Sequence, residues 1–237
     1  MVFDRRPVRR VEGIEGAPTD GWPATVPAVA QVLRDGLDLA PGVTFLVGEN
    51  GSGKSTLLEG LAGAFGLGVE GGERESLHRT YASESELAGW LRLVRGGGAR
   101  TGFFLRAETM HGFFTYLATE AGVTGYHEQS HGESFLAAMQ WYFRRPGFFC
   151  LDEPEAALSF SSTLVLVGQL HELARTEGAQ VVCATHSPVL AALPGATLLE
   201  VSDEGLRETT WDDLVLVANW RSYLEDPYRY LRHVLEP

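Results

Sequence analysis

Gly48-Glu49-Asn50-Gly51-Ser52-Gly53-Lys54-Ser55 is the stretch of this 237-residue chain that decides the fold. It fits G-x-x-x-x-G-K-[ST] at every required position, directly after the apolar run 42–47 and directly before a helical pattern over 55–65. Glycines are needed here because successive backbone N–H groups must turn inward around the phosphates of a nucleoside triphosphate, and side chains would block that approach. The first turn of the helix adds its partial positive charge. Gly48, Asn50, Gly51, Ser52 and Gly53 are therefore candidate nucleotide-binding residues. Lys54 supplies a compact ammonium to the β- and γ-phosphates, Ser55 a hydroxyl to Mg²⁺, and Thr56 a contact to the α-phosphate. Lys54 is also the single lysine among nineteen basic residues.

Downstream, Phe148-Phe149-Cys150-Leu151-Asp152-Glu153-Pro154 reads as a buried strand that ends in two acids. Asp152 is expected to hold the magnesium through water, and Glu153 to polarise the attacking water as general base. Ala184-Thr185-His186-Ser187-Pro188 follows the next apolar run. It places an imidazole at the C-terminal ends of adjacent parallel strands, the side on which open α/β sheets bind ligands. His186 is thereby expected to sense the γ-phosphate.

Working outward, the apolar runs 148–151 and 180–184 are joined by an amphipathic pattern over 161–176, which predicts a parallel sheet. A strand at 8–14 and a helix at 28–34 flank a Pro/Gly-rich stretch. Residues 73–146 carry helical patterns at 84–94, 110–121 and 133–144 around one strand at 102–106, and read as an inserted helical lobe. Two strands (197–201 and 206–210) and a helical tail over 212–235, interrupted at Pro227, complete the chain. The expected architecture is α/β, a P-loop NTPase with a mostly parallel sheet flanked by helices, a small N-terminal β region and the inserted lobe. All of it forms a single domain.

Composition excludes several classes. With 44% apolar and 21% charged residues the chain is neither disordered nor fibrous. No apolar run approaches the ~18 residues of a membrane span, and the arginine-bearing N-terminus lacks the apolar stretch of a signal peptide, so a cytoplasmic location is expected. Cys150 and Cys183 sit inside apolar runs and read as reduced core thiols. The net charge of −12 argues against direct nucleic-acid binding. Arg5, Arg6, Arg9 and Arg10 form the one visible basic patch, read as a solvated strand face.

In this order the three motifs resemble the ATP-binding-cassette type of P-loop ATPase, which also includes the heads of structural-maintenance-of-chromosomes and DNA-repair proteins. Gln129-Ser130-His131-Gly132-Glu133-Ser134 is similar to the signature loop of that family, with His131 in place of a glycine. The resemblance implies ATP and Mg²⁺ as cofactors and a homodimer that closes on ATP. Ser130, Gly132 and Glu133 would then meet the nucleotide of the opposite subunit; a plain helix cap is the alternative for this segment. ATP hydrolysis would drive a conformational change in an unidentified protein partner. The overall pattern is similar to a compact bacterial subgroup of stand-alone ATPases without an attached membrane-spanning domain.

Departures stand beside the likeness. Ser159 occupies a position where transporters carry aspartate, and the glutamine of the family's Q-loop is missing from its expected place. Arg106 and Glu108 follow the 102–106 strand, and Glu108 is a candidate contact to metal or water, with a surface salt bridge as its alternative. Trp22 is the candidate adenine-stacking aromatic, with plain packing beside Pro23 as its alternative. Three other readings stay open: a nucleotide-gated dimeric switch with negligible hydrolysis, a transporter ATPase subunit, and a DNA-repair-associated ATPase. A small-molecule P-loop kinase would leave residues 129–134 and His186 without a role.

Overall fold

A computed structural model describes residues 5–68, 72–73, 86–106 and 131–235. In chain order the elements are β1 (Val8–Gly13), α1 (Pro27–Asp35), β2 (Leu37–Asp38), β3 (Gly42–Val47), α2 (Lys54–Phe65) and β4 (Gly72–Glu73). Next come α3 (Leu87–Trp90), β5 (Leu91–Arg95), β6 (Gly102–Arg106), α4 (His131–Tyr142), β7 (Phe148–Asp152) and a 3₁₀ turn (Pro154–Ala157). The remainder is α5 (Phe160–Ala174), β8 (Gln180–Thr185), α6 (Pro188–Ala191), β9 (Thr197–Ser202), β10 (Gly205–Thr209), a 3₁₀ turn (Trp211–Asp213), α7 (Val215–Glu225) and α8 (Pro227–Leu235).

Seven strands form the main sheet in the order β10-β9-β3-β8-β7-β6-β4. The five central strands run parallel, and β10 and β4 close the edges antiparallel. Both faces are covered, so the strands read as continuous apolar runs rather than alternating ones. Leu46, Cys150, Val182 and Ala184 point to the layer of α1 and α2, while Phe45, Leu151, Val181 and Cys183 point to the layer of α4, α5 and α6. Cys150 and Cys183 thus lie on opposite faces as free, buried thiols, and burial pushes both of them up from the ordinary thiol range.

A second sheet, β2-β1-β5, is antiparallel and lies against the first through Gln180. Its buried amide donates to the carbonyls of Val8 and Ala40, both at 2.9 Å, and accepts from the Val8 N–H at 3.0 Å. Here the structure corrects the expected helix over 84–94. Within it, Leu87–Trp90 forms the single turn α3 and Leu91–Arg95 forms strand β5, whose Leu91, Leu93 and Val94 pair with Gly13, Val11 and Arg10. The pairing partner lies some eighty residues upstream, so tertiary contact overrides a local pattern that fits a helix equally well. Of the N-terminal arginines, Arg10 ties β1 to β2 through Asp38 at 2.7 Å, and Arg5 meets Glu177, between α5 and β8, at 2.9 Å. The helix expected over 110–121 lies outside the described residues.

Candidate nucleotide site

The parallel register brings the C-terminal ends of four strands to one edge. Arg106 pairs with Asp152, Asp152 with Ala184, and Val47 with Thr185. The chain leaves β3 at Gly48 and turns through residues 48–53 into α2. Gly53 takes φ +97°, and a Cβ there would stand 2.4 Å from Val26 Cγ1, so any other residue would be strained in its backbone and would push the Val26 side chain aside. At Gly48 an added Cβ would meet the Val201 carbonyl oxygen at 2.4 Å.

Lys54 is 3% exposed and donates from Nζ to the Glu49 carbonyl at 2.7 Å. Burial lowers its pKa, against the pull of Glu153, Asp152, Glu155 and Glu49. Ser55 Oγ donates to Asp152 Oδ1 at 2.9 Å. Burial raises the Asp152 carboxyl above its ordinary value, opposed by that hydrogen bond and by Arg106. Arg106 spans Asp152 Oδ2, at 3.5 Å from Nε, and Glu59 Oε1, at 2.6 Å from Nη2.

Glu153 has φ +46°, the one non-glycine residue with positive φ among the described residues. Its N–H donates to the Ala184 carbonyl at 2.9 Å, and its own carbonyl accepts from Ala156 at 3.0 Å. These bonds hold a conformation that costs about 1–3 kcal/mol in a non-glycine residue. Glu153 Oε1 lies 3.4 Å from His186 Nδ1.

Glu155 is the residue that the sequence reading left without a role. Its carboxylate is buried, and Oε1 accepts from Thr185 Oγ1 and from the His186 N–H, the latter at 3.0 Å. The same oxygen is 3.8 Å from His186 Nδ1. His186 Nδ1, Glu155 Oε2 and Ser52 Oγ are all buried without a hydrogen-bond partner among the described residues. An acid in the turn after a strand-terminal acid pair was the available signal, but its partners lie thirty residues away on β8 and beyond.

Lys54, Ser55, Arg106, Asp152 and Glu153 line a cavity of about 400 Å³ together with Asn50, Gly51, Gly53 and Thr56. Trp22, 67% exposed, lines it together with Val26. Ser159 caps α5, its Oγ accepting from the Ser162 N–H at 3.2 Å. Gly132 and Glu133 fall in the first turn of α4. Ser130 and Glu108 lie outside the described residues.

The donor set fits a nucleoside triphosphate with a divalent cation. A buried ammonium, an unpartnered Ser52 hydroxyl and a glycine turn suit phosphate oxygens, and the Ser55–Asp152 pair offers the hydroxyl and carboxylate oxygens that magnesium prefers.

Comparison with known proteins agrees with this geometry. Residues 99–192 match a family described as "AAA domain, putative AbiEii toxin, Type IV TA system", and residues 34–101 match one described as "AAA domain". No curated protein matches the chain. Among solved structures, a chain assigned to a metal-chelate type ABC transporter in an inward-facing conformation is similar at TM-score 0.52 and 15% identity. That similarity covers 93% of this chain and 89% of the other. No helix among the described residues is long and apolar enough to cross a membrane. Sheet order and glycine loop give the chain the P-loop NTPase fold, and both family matches are to AAA domains.

Proposed function

We propose that the chain binds ATP with Mg²⁺ and hydrolyses it to ADP and phosphate at the interface of an ATP-dependent homodimer, and that closure and opening move an attached protein partner. The observation that carries this reading is the convergence of Lys54, the Ser55–Asp152 pair at 2.9 Å and Glu153 on one cavity, with His186 Nδ1 3.4 Å from the Glu153 carboxylate.

Each residue has work suited to its chemistry. The glycine turn, with Asn50, Gly51, Ser52 and Gly53, presents N–H groups to phosphate oxygens, and Lys54 exchanges its bond to the Glu49 carbonyl for the β- and γ-phosphates. Ser55 and Asp152 hold the metal, with Glu108 as a further candidate. The metal, when bound, neutralises charge on the β- and γ-phosphate oxygens. Glu153 orients a water and takes its proton; the strained backbone fixes the direction of its carboxylate. His186 donates toward the γ-phosphate, steadied from behind by Glu155. Trp22 stacks on the adenine. Ser130, Gly132 and Glu133 close the site of the second subunit from the start of α4.

Glu153→Gln tests the reading. In that variant ATP should remain bound while phosphate release stops, and size-exclusion chromatography with ATP and Mg²⁺ should show accumulated dimer. Unchanged phosphate release would remove Glu153 as the base. Monomer alone would remove the sandwich and leave a one-subunit ATPase. A wild-type chain that dimerises without turnover would establish the switch instead.

A further inference from the structure

We propose that a second cavity, at the far end of the main sheet, binds a small organic anion with a flat aromatic body. This cavity has a volume of about 490 Å³, inside the roughly 300–1,000 Å³ typical of small-molecule sites. Arg100 and Thr101 line it just before β6, Trp141 and Tyr142 at the end of α4, and Arg144 and Arg145 just before β7. Strands β6 and β7 run from here to Arg106 and Asp152, so about 13–17 Å of strand separates the two sites.

The floor is aromatic. Phe103 and Phe149 are buried, and the Tyr142 ring stacks on Phe103 with centroids 4.1 Å apart and planes 18° from parallel. Trp141, 55% exposed, stands at the rim. The exposed Trp141 indole offers a planar apolar guest an offset-stacking face. Thr101 Oγ1 donates to the Pro146 carbonyl at 3.1 Å and ties the two chain segments that form the wall.

The rim is cationic in a chain whose net charge is −12. Elsewhere arginines meet acids: Arg5 with Glu177, Arg34 with Asp35, Arg92 with Glu12, Arg207 with Glu200 and Arg221 with Asp212. Among the described residues, Arg100, Arg144 and Arg145 form no ion pair and no carboxylate lines the cavity. The end of α4 favours nearby cations through its carbonyl groups, which accounts for Arg144 and Arg145 in part. It does not account for Arg100, which arrives from a separate segment. Three guanidinium groups around an aromatic floor are matched by a carboxylate or phosphate on a ring, since the guanidinium fork pairs both with such anions and with aromatic faces.

Calorimetric titration with 2-naphthoate, compared with the neutral 2-naphthamide, tests this site. Naphthoate should bind saturably and the amide at least tenfold more weakly. Arg144→Gln/Arg145→Gln should weaken naphthoate at least tenfold, and Trp141→Ala should weaken it as well; these exposed positions should leave the melting temperature unchanged. Lys54→Ala should bind naphthoate as the wild type does. Equal affinity for the amide, an undiminished double variant, no saturable heat, or loss of binding in Lys54→Ala would each overturn the proposal. The last result would place the anion in the glycine loop.

Discussion

Replacing Glu155 by alanine removes the one acceptor shared by two buried donors, the Thr185 hydroxyl and the His186 N–H. A buried donor left without a partner costs roughly 1–3 kcal/mol, so two set an upper range of about 2–6 kcal/mol. The loss is partly offset because the variant also removes an unpartnered buried carboxylate oxygen, Oε2. A net loss of about 2–4 kcal/mol is expected, which lowers the melting temperature by roughly 4–15 °C for a domain of this size. Thr185 Oγ1 also accepts from the Ser187 N–H at 3.0 Å, so the loosening should extend along the turn that carries His186. Glu155→Gln keeps a carbonyl oxygen for both donors and should melt close to wild type. Calorimetric melting of nucleotide-free protein reads the stability, and phosphate release reads the consequence for His186. In Glu155→Ala turnover should fall about as far as in His186→Ala, and the double variant should fall little further. A stability loss below about 1 kcal/mol, or fully additive effects of the two substitutions on turnover, would refute Glu155 as the residue that positions the imidazole.

Lys54→Ala should lose about 1.5–3 kcal/mol of ATP affinity, or roughly tenfold to 150-fold, in a fluorescence titration, because charge-assisted contacts of this size vanish. Asp152→Asn should stabilise the nucleotide-free protein at neutral pH. The Asp152 carboxyl sits above its ordinary value, so its contribution to wild-type stability is fully present below the ordinary carboxylate range and is lost as pH rises through the shifted value. The gain in melting temperature should therefore shrink as pH is lowered toward about 4, and a gain independent of pH would exclude desolvation as its source. Ser130→Arg should abolish dimer-dependent turnover and leave ATP affinity of the monomer intact; full turnover would make residues 129–134 a helix cap.

Much of this organisation was legible because buried parallel strands are short apolar runs with punctuated ends. The 102–106 strand, the runs before Asp152 and His186, and the glycine turn at 48–53 each stand where the sequence places them. Strand β5 was not legible: Leu91-Arg92-Leu93-Val94-Arg95 suits either periodicity until Val11 and Glu12 are beside it. Within the site, Lys54, Ser55, Asp152 and Glu153 carry their chemistry in their spacing. Glu155 does not, because an acid at the second position of the Pro154–Ala157 turn acquires meaning only when the end of β8 delivers Thr185 and His186 to it. Arg106 was noted for its position, but its double contact to Asp152 and Glu59 depends on the pairing of β6 with β7 and on the face that α2 presents.

The same dependence explains why the site is all or nothing. Asp152 meets Ser55 only because β7 and β3 flank β8 in one register, with Asp152 opposite Ala184 and Val47 opposite Thr185. A slip of one residue in β7 would turn Asp152 to the other face of the sheet, away from α2, and exchange Leu151 for it. That slip would also bury a carboxylate among the apolar side chains that surround Leu151, at a cost of several kcal/mol. The hydrophobic pattern that fixes the register therefore fixes the distance between hydroxyl and carboxylate. It also holds Glu153 in its left-handed conformation, since the N–H of Glu153 reaches the Ala184 carbonyl only in this register.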